Sequence, residues 1–214
     1  MCRRFALTLT PGQASEHFDA QAPDFPPRAD IAPGEPIELI VAREFTRGAQ
    51  RRFMLARWGL LPQFVKEPLP LIVNARAESL IDEASFAPAF RRRRCLIPAS
   101  GFYAFANRQA YWVAAVDGAP LGLAGLYETY LHANGSEIDT ACIVTTSANA
   151  ALSRLGERMP VIVPRAAHAR WLDHETTSLD AALALLRPAP EALLQAAPAA
   201  RAGSAGLRPP DTFR

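Results

Sequence analysis

Cys2 follows Met1 directly, and no other residue in the chain offers comparable chemistry. A small second residue is the usual condition for removing an initiator methionine. Cysteine then becomes the first residue, with a free α-amine beside its thiol. The amine titrates near ~7.7–8.0 and the thiol near ~8.5, so both reactive forms are partly available at neutral pH. A 1,2-aminothiol condenses with an aldehyde to a Schiff base. Its thiol then adds to the same carbon and closes a five-membered thiazolidine. A cellular aldehyde of this kind is the ring-opened abasic deoxyribose of DNA. The competing reading of Cys2 is a small apolar residue that opens a strand.

The other candidate chemistries are thin. Cys95 (RRCLIPA) and Cys142 (TACIVTT) lie in apolar, strand-like runs and read as core residues. The three cysteines form no CxxC, and His17, His132, His168 and His174 fall in no metal-binding pattern, so no metal is expected. An odd cysteine count in an intracellular chain reads as free thiols. GxGxxG and GxxxxGK[ST] are both absent, so no cofactor is expected.

The elements that must position Cys2 read as one domain. With 214 residues, 50% hydrophobic and 21% charged, the chain can bury a core without disulfides. No apolar run approaches the ~20 residues of a membrane span, and MCRRFALTLT lacks the apolar stretch of a signal peptide. A cytoplasmic protein, nucleoid-associated when acting, is expected, with no membrane partner and a monomeric state. Residues 1–10 read as a strand, followed by a proline-rich stretch with a short helix near Ser15–Asp19. Residues 37–45 and 52–58 read as paired strands around TRGAQ. LIVNARAES runs from strand to helix, and CLIPASGFYAF, YWVAAV, LGLAGLYETYL and DTACIVTTSA supply further strands. Ala166–Leu172 and Leu179–Leu186 read as helices. Many short strands with few helices make the class α+β. The expected domain covers 1–186, and 187–214 reads as a Pro/Ala-rich extension, ordered only where it packs back.

Charge is uninformative as a total and informative in type. Lys+Arg number 23 against 21 Asp+Glu, a net +2, and Lys66 is the single lysine. Arginine's planar fork suits phosphate, although a biased genome produces the same skew. Arg91–Arg94 and the set Arg43, Arg47, Arg51, Arg52 and Arg57 are the local clusters. A solvated face is the ordinary alternative for such runs.

Seven segments occur in order along the chain: MCRRF (1–5), RWGLLP (57–62), NARAE (74–78), CLIPASGFY (95–103), AGLYE (124–128), TTSAN (145–149) and RMPVIV (158–163). Together they resemble the SRAP family, the SOS-response-associated peptidases that process abasic sites. The resemblance spans roughly residues 2–186. It implies an α+β domain of curved, mainly antiparallel, barrel-like sheets with flanking helices, enclosing the N-terminal cysteine. It also implies autocatalytic removal of Met1, binding of single-stranded DNA, and a covalent thiazolidine crosslink at abasic sites in the DNA damage response. The family's nucleophile falls on Cys2 and its active-site asparagine on Asn74. Arg76 then faces a flanking phosphate. Arg4 and Arg158 join it as DNA-binding candidates, and Trp58 and Phe102 are candidates for stacking on splayed bases. The competing roles are a helix cap for Asn74, a surface ion pair for Arg76, and core packing for the two aromatic residues.

The chain departs from the family at the positions that move protons. The family's G-[FW]-Y-E-W reads Gly101–Phe105 with Ala104 in place of glutamate. Its H-x-R-M-P reads Gly156–Pro160 with Gly156 in place of histidine, and the common glycine after the cysteine is Arg3. Glu157, Glu78 and Glu128 are the carboxylates that remain as substitutes. A positioned general acid–base contributes ~10²–10⁴-fold, and thiazolidines form without an enzyme, so crosslinking is expected to survive at reduced rate. The alternative is a non-catalytic DNA-binding module that has lost the crosslink chemistry. A peptidase acting on other proteins is disfavoured, because no histidine in any matched motif can activate a thiolate.

Overall fold

A computed structural model describes residues 2–45, 48–65, 71–201 and 206–210, with backbone alone at 43–45, 48–49 and 201. Met1, Arg47, Lys66 and the Arg43 side chain lie outside the described residues. Five strands form one sheet: β1 (Phe5–Leu7), β2 (Arg28–Ile31), β7 (Gly101–Ala106), β8 (Gln109–Ala115) and β12 (Leu194–Pro198), in the order β12-β8-β7-β1-β2. The second sheet contains β3 (Pro36–Phe45), β4 (Gly48–Trp58), β5 (Asn74–Arg76), β6 (Arg94–Ala99), β9 (Leu121–Leu131), β10 (Glu137–Ser147) and β11 (Arg158–Pro160). Its central path runs β10-β4-β3-β6-β9, and β9 pairs again with β10, so these strands close a barrel. Closure removes free edges from the most apolar strands. The expected α+β class with barrel-like, mainly antiparallel sheets is the observed one; β10 departs from it by pairing in parallel with β4 and β5.

The first helix, α1 (Pro11–Phe18), starts earlier than its prolines suggest. Thr10 accepts from the Gln13 backbone, and the Gln13 side chain answers to the Thr10 N–H, a capping box with proline in the first turn. The same residue type that breaks a helix interior starts one here. Three short helices follow: α2 (Ala87–Arg92), α3 (His168–Leu172) and α4 (Leu179–Leu183). Among the described residues no helix is long and apolar enough to cross a membrane.

The sheet continues past the expected boundary at residue 186. Residues 194–198 pair antiparallel with β8, from Leu194 opposite Ala115 to Pro198 opposite Tyr111. Asn149 donates to the Ala189 carbonyl at 2.9 Å and accepts from the Leu152 N–H, tying the TTSAN segment to this stretch. Proline is tolerated in β12 because the strand is an edge. Beyond it, Ala200–Arg201 (β13) pairs with Leu207–Arg208 (β14). An alanine- and proline-rich composition conceals a strand whose partner supplies the burial.

The arginine run before β6 is only partly a surface feature. Arg94 is buried; it donates to the carbonyls of Trp171, Phe90 and Asp173 at 2.6, 3.0 and 2.6 Å and lies over the Phe90 and Trp171 rings. Arg93 pairs with buried Glu128 at 2.8 Å. Arg91 and Arg92 alone stay exposed.

His168 is a core histidine of α3. Its Nε2 lies 3.1 Å from the Val163 carbonyl, its ring stacks on Phe18 at 5.5 Å, and Nδ1 has no partner among the described residues. Burial pushes its pKa from 6.5 down to about 4. Between those values the unfolded chain binds the extra proton, so stability declines as pH falls through the window and is unaffected above it. Urea denaturation at pH 7 and 4.5 should show wild type losing about 2–3 kcal/mol more than His168→Gln. Equal losses in the two proteins would contradict this account.

Candidate functional site

Cys2 precedes β1 and is 3% exposed. Its thiol points at the Arg4 carbonyl, 3.7 Å away, and its own carbonyl accepts from Asn74 Nδ2 at 2.8 Å. Asn74 opens β5, which lies parallel to β10 with Asn74 opposite Ile143. The other amide atom, Asn74 Oδ1, is buried and has no hydrogen-bond partner among the described residues. An orphaned buried acceptor costs about 1–3 kcal/mol, so it marks a place where a donor belongs.

Strand alternation brings a second site residue to the same face. Ala75 is fully buried, whereas Asn74 is half-buried and Arg76 exposed, so the two polar side chains project together. Arg76 sits opposite Thr145 of β10, and Thr145 pairs on its other side with Pro160 of β11. From β11, Arg158 reaches back across β10. Its guanidinium donates to Glu78 Oε1 and Oε2 at 3.2 and 2.7 Å, and to Thr145 Oγ1 and carbonyl at 3.2 and 2.6 Å. That fork outweighs the opposing effect of burial and holds the Glu78 carboxyl below its ordinary pKa. Arg4 donates to Asp30 at 2.7 Å and keeps 41% of its side chain exposed.

The two aromatic candidates lie elsewhere than expected. Trp58 is 0% exposed; its Nε1 donates to the Val73 carbonyl at 3.0 Å and its ring meets Phe5 edge-on at 5.2 Å. Phe102 is buried opposite Phe5 in the β1–β7 pair. Neither ring has a free face for a base, so both are core residues that seat β1. Two aromatic residues have open faces among the described residues: Phe64, 63% exposed in the connection between β4 and β5, and Phe105, 50% exposed in β7. The signal for Phe64 in the sequence was weak: a lone phenylalanine after Pro62 and Gln63.

Charge is likewise dispersed. Arg51 donates to the Phe18 carbonyl, Arg52 is exposed, and the span from Arg51 to Arg57 stretches about 20 Å along β4. A cavity of ≈ 890 Å³ lined by Arg51, Arg52, Phe53, Arg170 and Asp173 contains none of the candidate residues. Among the described residues no cluster of His, Cys, Asp or Glu could hold a metal ion.

Acid–base groups are sparse around the thiol. The β1–β7 register pairs Phe5 with Phe102 and Ala6 with Gly101, and extended backwards it sets Ala104 opposite Arg3, beside Cys2. Ala104 carries only a methyl group, which neither gives nor takes a proton. A Cβ on Gly156 would meet nothing within 4 Å, yet its φ of 154° and ψ of 161° lie in a region essentially reserved for glycine. The three remaining carboxylates are engaged or turned away: Glu78 with Arg158, Glu128 with Arg93, and Glu157 exposed. Gly156→His should lower stability by about 1–3 kcal/mol in urea denaturation, despite the open space. An unchanged midpoint would mean the backbone relaxes freely there.

Burial pushes the Cys2 thiol up to about 12, against smaller opposing effects such as the Arg4 carbonyl contact. The folded protein thus holds a thiol, not the partly ionised group expected from the sequence. At pH 8, alkylation of Cys2 by iodoacetamide should be about a thousandfold slower than for a free cysteine. The rate should climb about tenfold per pH unit without levelling below pH 10. A plateau near pH 8–9 would show that burial does not control this thiol.

Known proteins match this arrangement along most of the chain. The family profile described as SOS response associated peptidase (SRAP) matches residues 1–202. Abasic site processing protein YoqW of Bacillus subtilis is 30% identical over 199 residues, covering 88% of this chain and 87% of its own. Abasic site processing protein YoaM of the same organism is 29% identical over 199 residues, covering 88% and 86%. A crystal structure of a protein from Bordetella bronchiseptica superposes with a TM-score of 0.80 at 27% identity, covering 92% of this chain and 99% of the other. The chain belongs to the SOS response associated peptidase family.

Proposed function

We propose that this protein binds single-stranded DNA and captures abasic sites through Cys2 after loss of Met1. The observation that carries the reading is the Asn74 amide. One end holds the Cys2 carbonyl at 2.8 Å, and the other is a buried acceptor with no described partner. The names of the relatives, abasic site processing proteins, supply the substrate class. The Cys2 α-amine attacks the C1 aldehyde of the opened sugar, and water leaves to give a Schiff base. The thiol adds across C=N, forming the S–C bond, and its proton passes to nitrogen. Amine, thiol and aldehyde thus become thiazolidine plus water, with no oxidant required. Asn74 Oδ1 would accept from the condensing amine or a sugar hydroxyl.

Arg76 and the exposed edge of Arg4 would contact flanking phosphates, and Arg158 would join them by trading Glu78 for phosphate. With Trp58 and Phe102 buried, the exposed rings of Phe64 and Phe105 would be the candidates for stacking on bases. The step that suffers is proton transfer. With Ala104 and Gly156 at the family's proton-moving positions, nothing charged stands ready to deprotonate a thiol near 12. Formation is expected to run slowly, and reversal, which needs acid catalysis at the same carbon, more slowly still. That high thiol pKa favours one second reading, a DNA-binding module without covalent chemistry.

Incubation with an abasic single-stranded oligonucleotide, followed by denaturing gel and intact mass, decides between them. Wild type should form an adduct about 10²–10⁴-fold slower than Ala104→Glu would if glutamate restores the missing catalyst. Cys2→Ala should form none, and Phe64→Ala should weaken oligonucleotide binding by about 1–3 kcal/mol. Equal, zero adduct from wild type and Cys2→Ala rejects the covalent reading. Retained Met1 in the intact mass rejects it as well.

A further inference from the structure

Asp30 of β2 belongs to none of the roles above. Its side chain is nine-tenths buried, and Oδ2 accepts two hydrogen bonds, from Arg4 Nη1 at 2.7 Å and from the Leu207 backbone N–H at 2.9 Å. The chain from Gly206 to Leu207 therefore returns from the far end of the sequence to the oxygen that holds Arg4. The approach is tight. A Cβ on Gly206 would collide with Oδ2, and its φ of +103° also requires glycine.

Arg4 is held from its backbone too. Its carbonyl accepts the Tyr103 N–H at 2.9 Å and faces the Cys2 thiol at 3.7 Å. The Tyr103 hydroxyl donates to the carbonyl of Ala29, the residue beside Asp30, at 2.7 Å. Asp30, Arg4, Tyr103 and Ala29 thus close a ring of contacts, and Cys2 hangs on it. Besides its packing in the core, Cys2 has no strand pairing among the described residues and is held by the Asn74 bond to its carbonyl.

We infer that Asp30 and the Gly206–Leu207 backbone form a brace that positions Arg4 and, through the Arg4 carbonyl, the Cys2 thiol. The C-terminal segment is then a working part of the site. This rests on the reading of Cys2 as the reacting residue. Asp30 is a positioning residue: it would not touch DNA, and it orients one arm of the Arg4 fork while the exposed remainder faces solvent.

Two measurements on the full chain test the brace. The first is Cys2 alkylation by iodoacetamide at pH 8, read by mass spectrometry, with fully buried Cys95 and Cys142 reporting on the fold. The second is the crosslinking rate on saturating abasic oligonucleotide. Gly206→Ala drives a methyl group into Asp30 Oδ2, parting that oxygen from the Leu207 backbone while keeping Asp30, Arg4 and Cys2 in the sequence. Asp30→Ala removes the acceptor that Arg4 and Leu207 share, and Asp30→Asn keeps one oxygen that can accept from both. Gly206→Ala and Asp30→Ala should speed alkylation of Cys2 about tenfold or more while slowing crosslinking by a similar factor, with Asp30→Asn closer to wild type. A merely weakened fold would also speed alkylation and slow crosslinking, but it would expose Cys95 and Cys142 too, so their protection is what separates the brace from general loosening. Unchanged Cys2 alkylation in Gly206→Ala and Asp30→Ala, with Cys95 and Cys142 protected, overturns the brace. If Asp30→Ala also exposes those two cysteines, Gly206→Ala decides alone. Alkylation needs no DNA, so a wild type that never crosslinks rejects the proposed function and leaves the brace to be judged separately.

Discussion

The hydrogen bond from Asn74 to the Cys2 carbonyl is the contact on which the site depends. It joins a chain end without strand pairing to the first residue of a three-residue strand, 72 positions later in sequence. Neither partner can hold its place alone. Asn74 is fixed because β5 lies in register with β10, and β10 also pairs with β4, β9 and β11. One central strand therefore fixes Asn74, Arg76 and Arg158 at once. The barrel's closure serves the site by making that strand rigid. Local propensity could not do this, since a three-residue strand has almost no stability of its own.

Burial of the Cys2 thiol sets the second constraint. A thiol near 12 is protected from stray alkylation and oxidation, and equally from reaction with its own substrate. Under the proposed reaction this favours one order of events, amine first and thiol second, with the sulfur acting only after a sugar has been captured. In the proposed reaction, Schiff-base formation would put an electrophilic carbon beside the sulfur. Addition can then proceed with proton transfer to the adjacent nitrogen instead of through a free thiolate. Such a sequence tolerates the loss of the glutamate and histidine positions better than a mechanism led by sulfur.

The sequence revealed the site's chemistry more readily than its surroundings. Cys2 stood out by its type and its position, and Asn74 and Arg76 were named through the resemblance; that these two side chains share a face emerges only from the alternation along β5 in the structure. Strand positions along β9 and β10 were likewise clear from long apolar runs. Trp58 and Phe102 were misplaced because an aromatic side chain suits a core and a base-stacking face equally, and only three-dimensional neighbours separate the two. Arg94 looked like surface charge, since nothing local signals that three carbonyls from α2 and the end of α3 converge on it. β12 was hidden for a related reason. Its residues are weak strand formers, and β8, some 80 positions earlier, supplies the pairing.

The arginines show how a net charge of +2 is compatible with binding a polyanion. Two of the three candidate phosphate contacts already hold an internal carboxylate, Arg4 with Asp30 and Arg158 with Glu78. Arg76 makes no ion pair with a described residue. A phosphate arriving at Arg158 must displace Glu78, whereas at Arg4 it can share the fork with Asp30. The gain is then the difference between two anions, smaller than the full attraction of a free cation. Each carboxylate holds its guanidinium in a defined place before DNA arrives, which lowers the ordering cost of binding. The arrangement exchanges affinity for position, which suits the proposed reaction, where one aldehyde carbon would have to be aligned with an amine and a thiol.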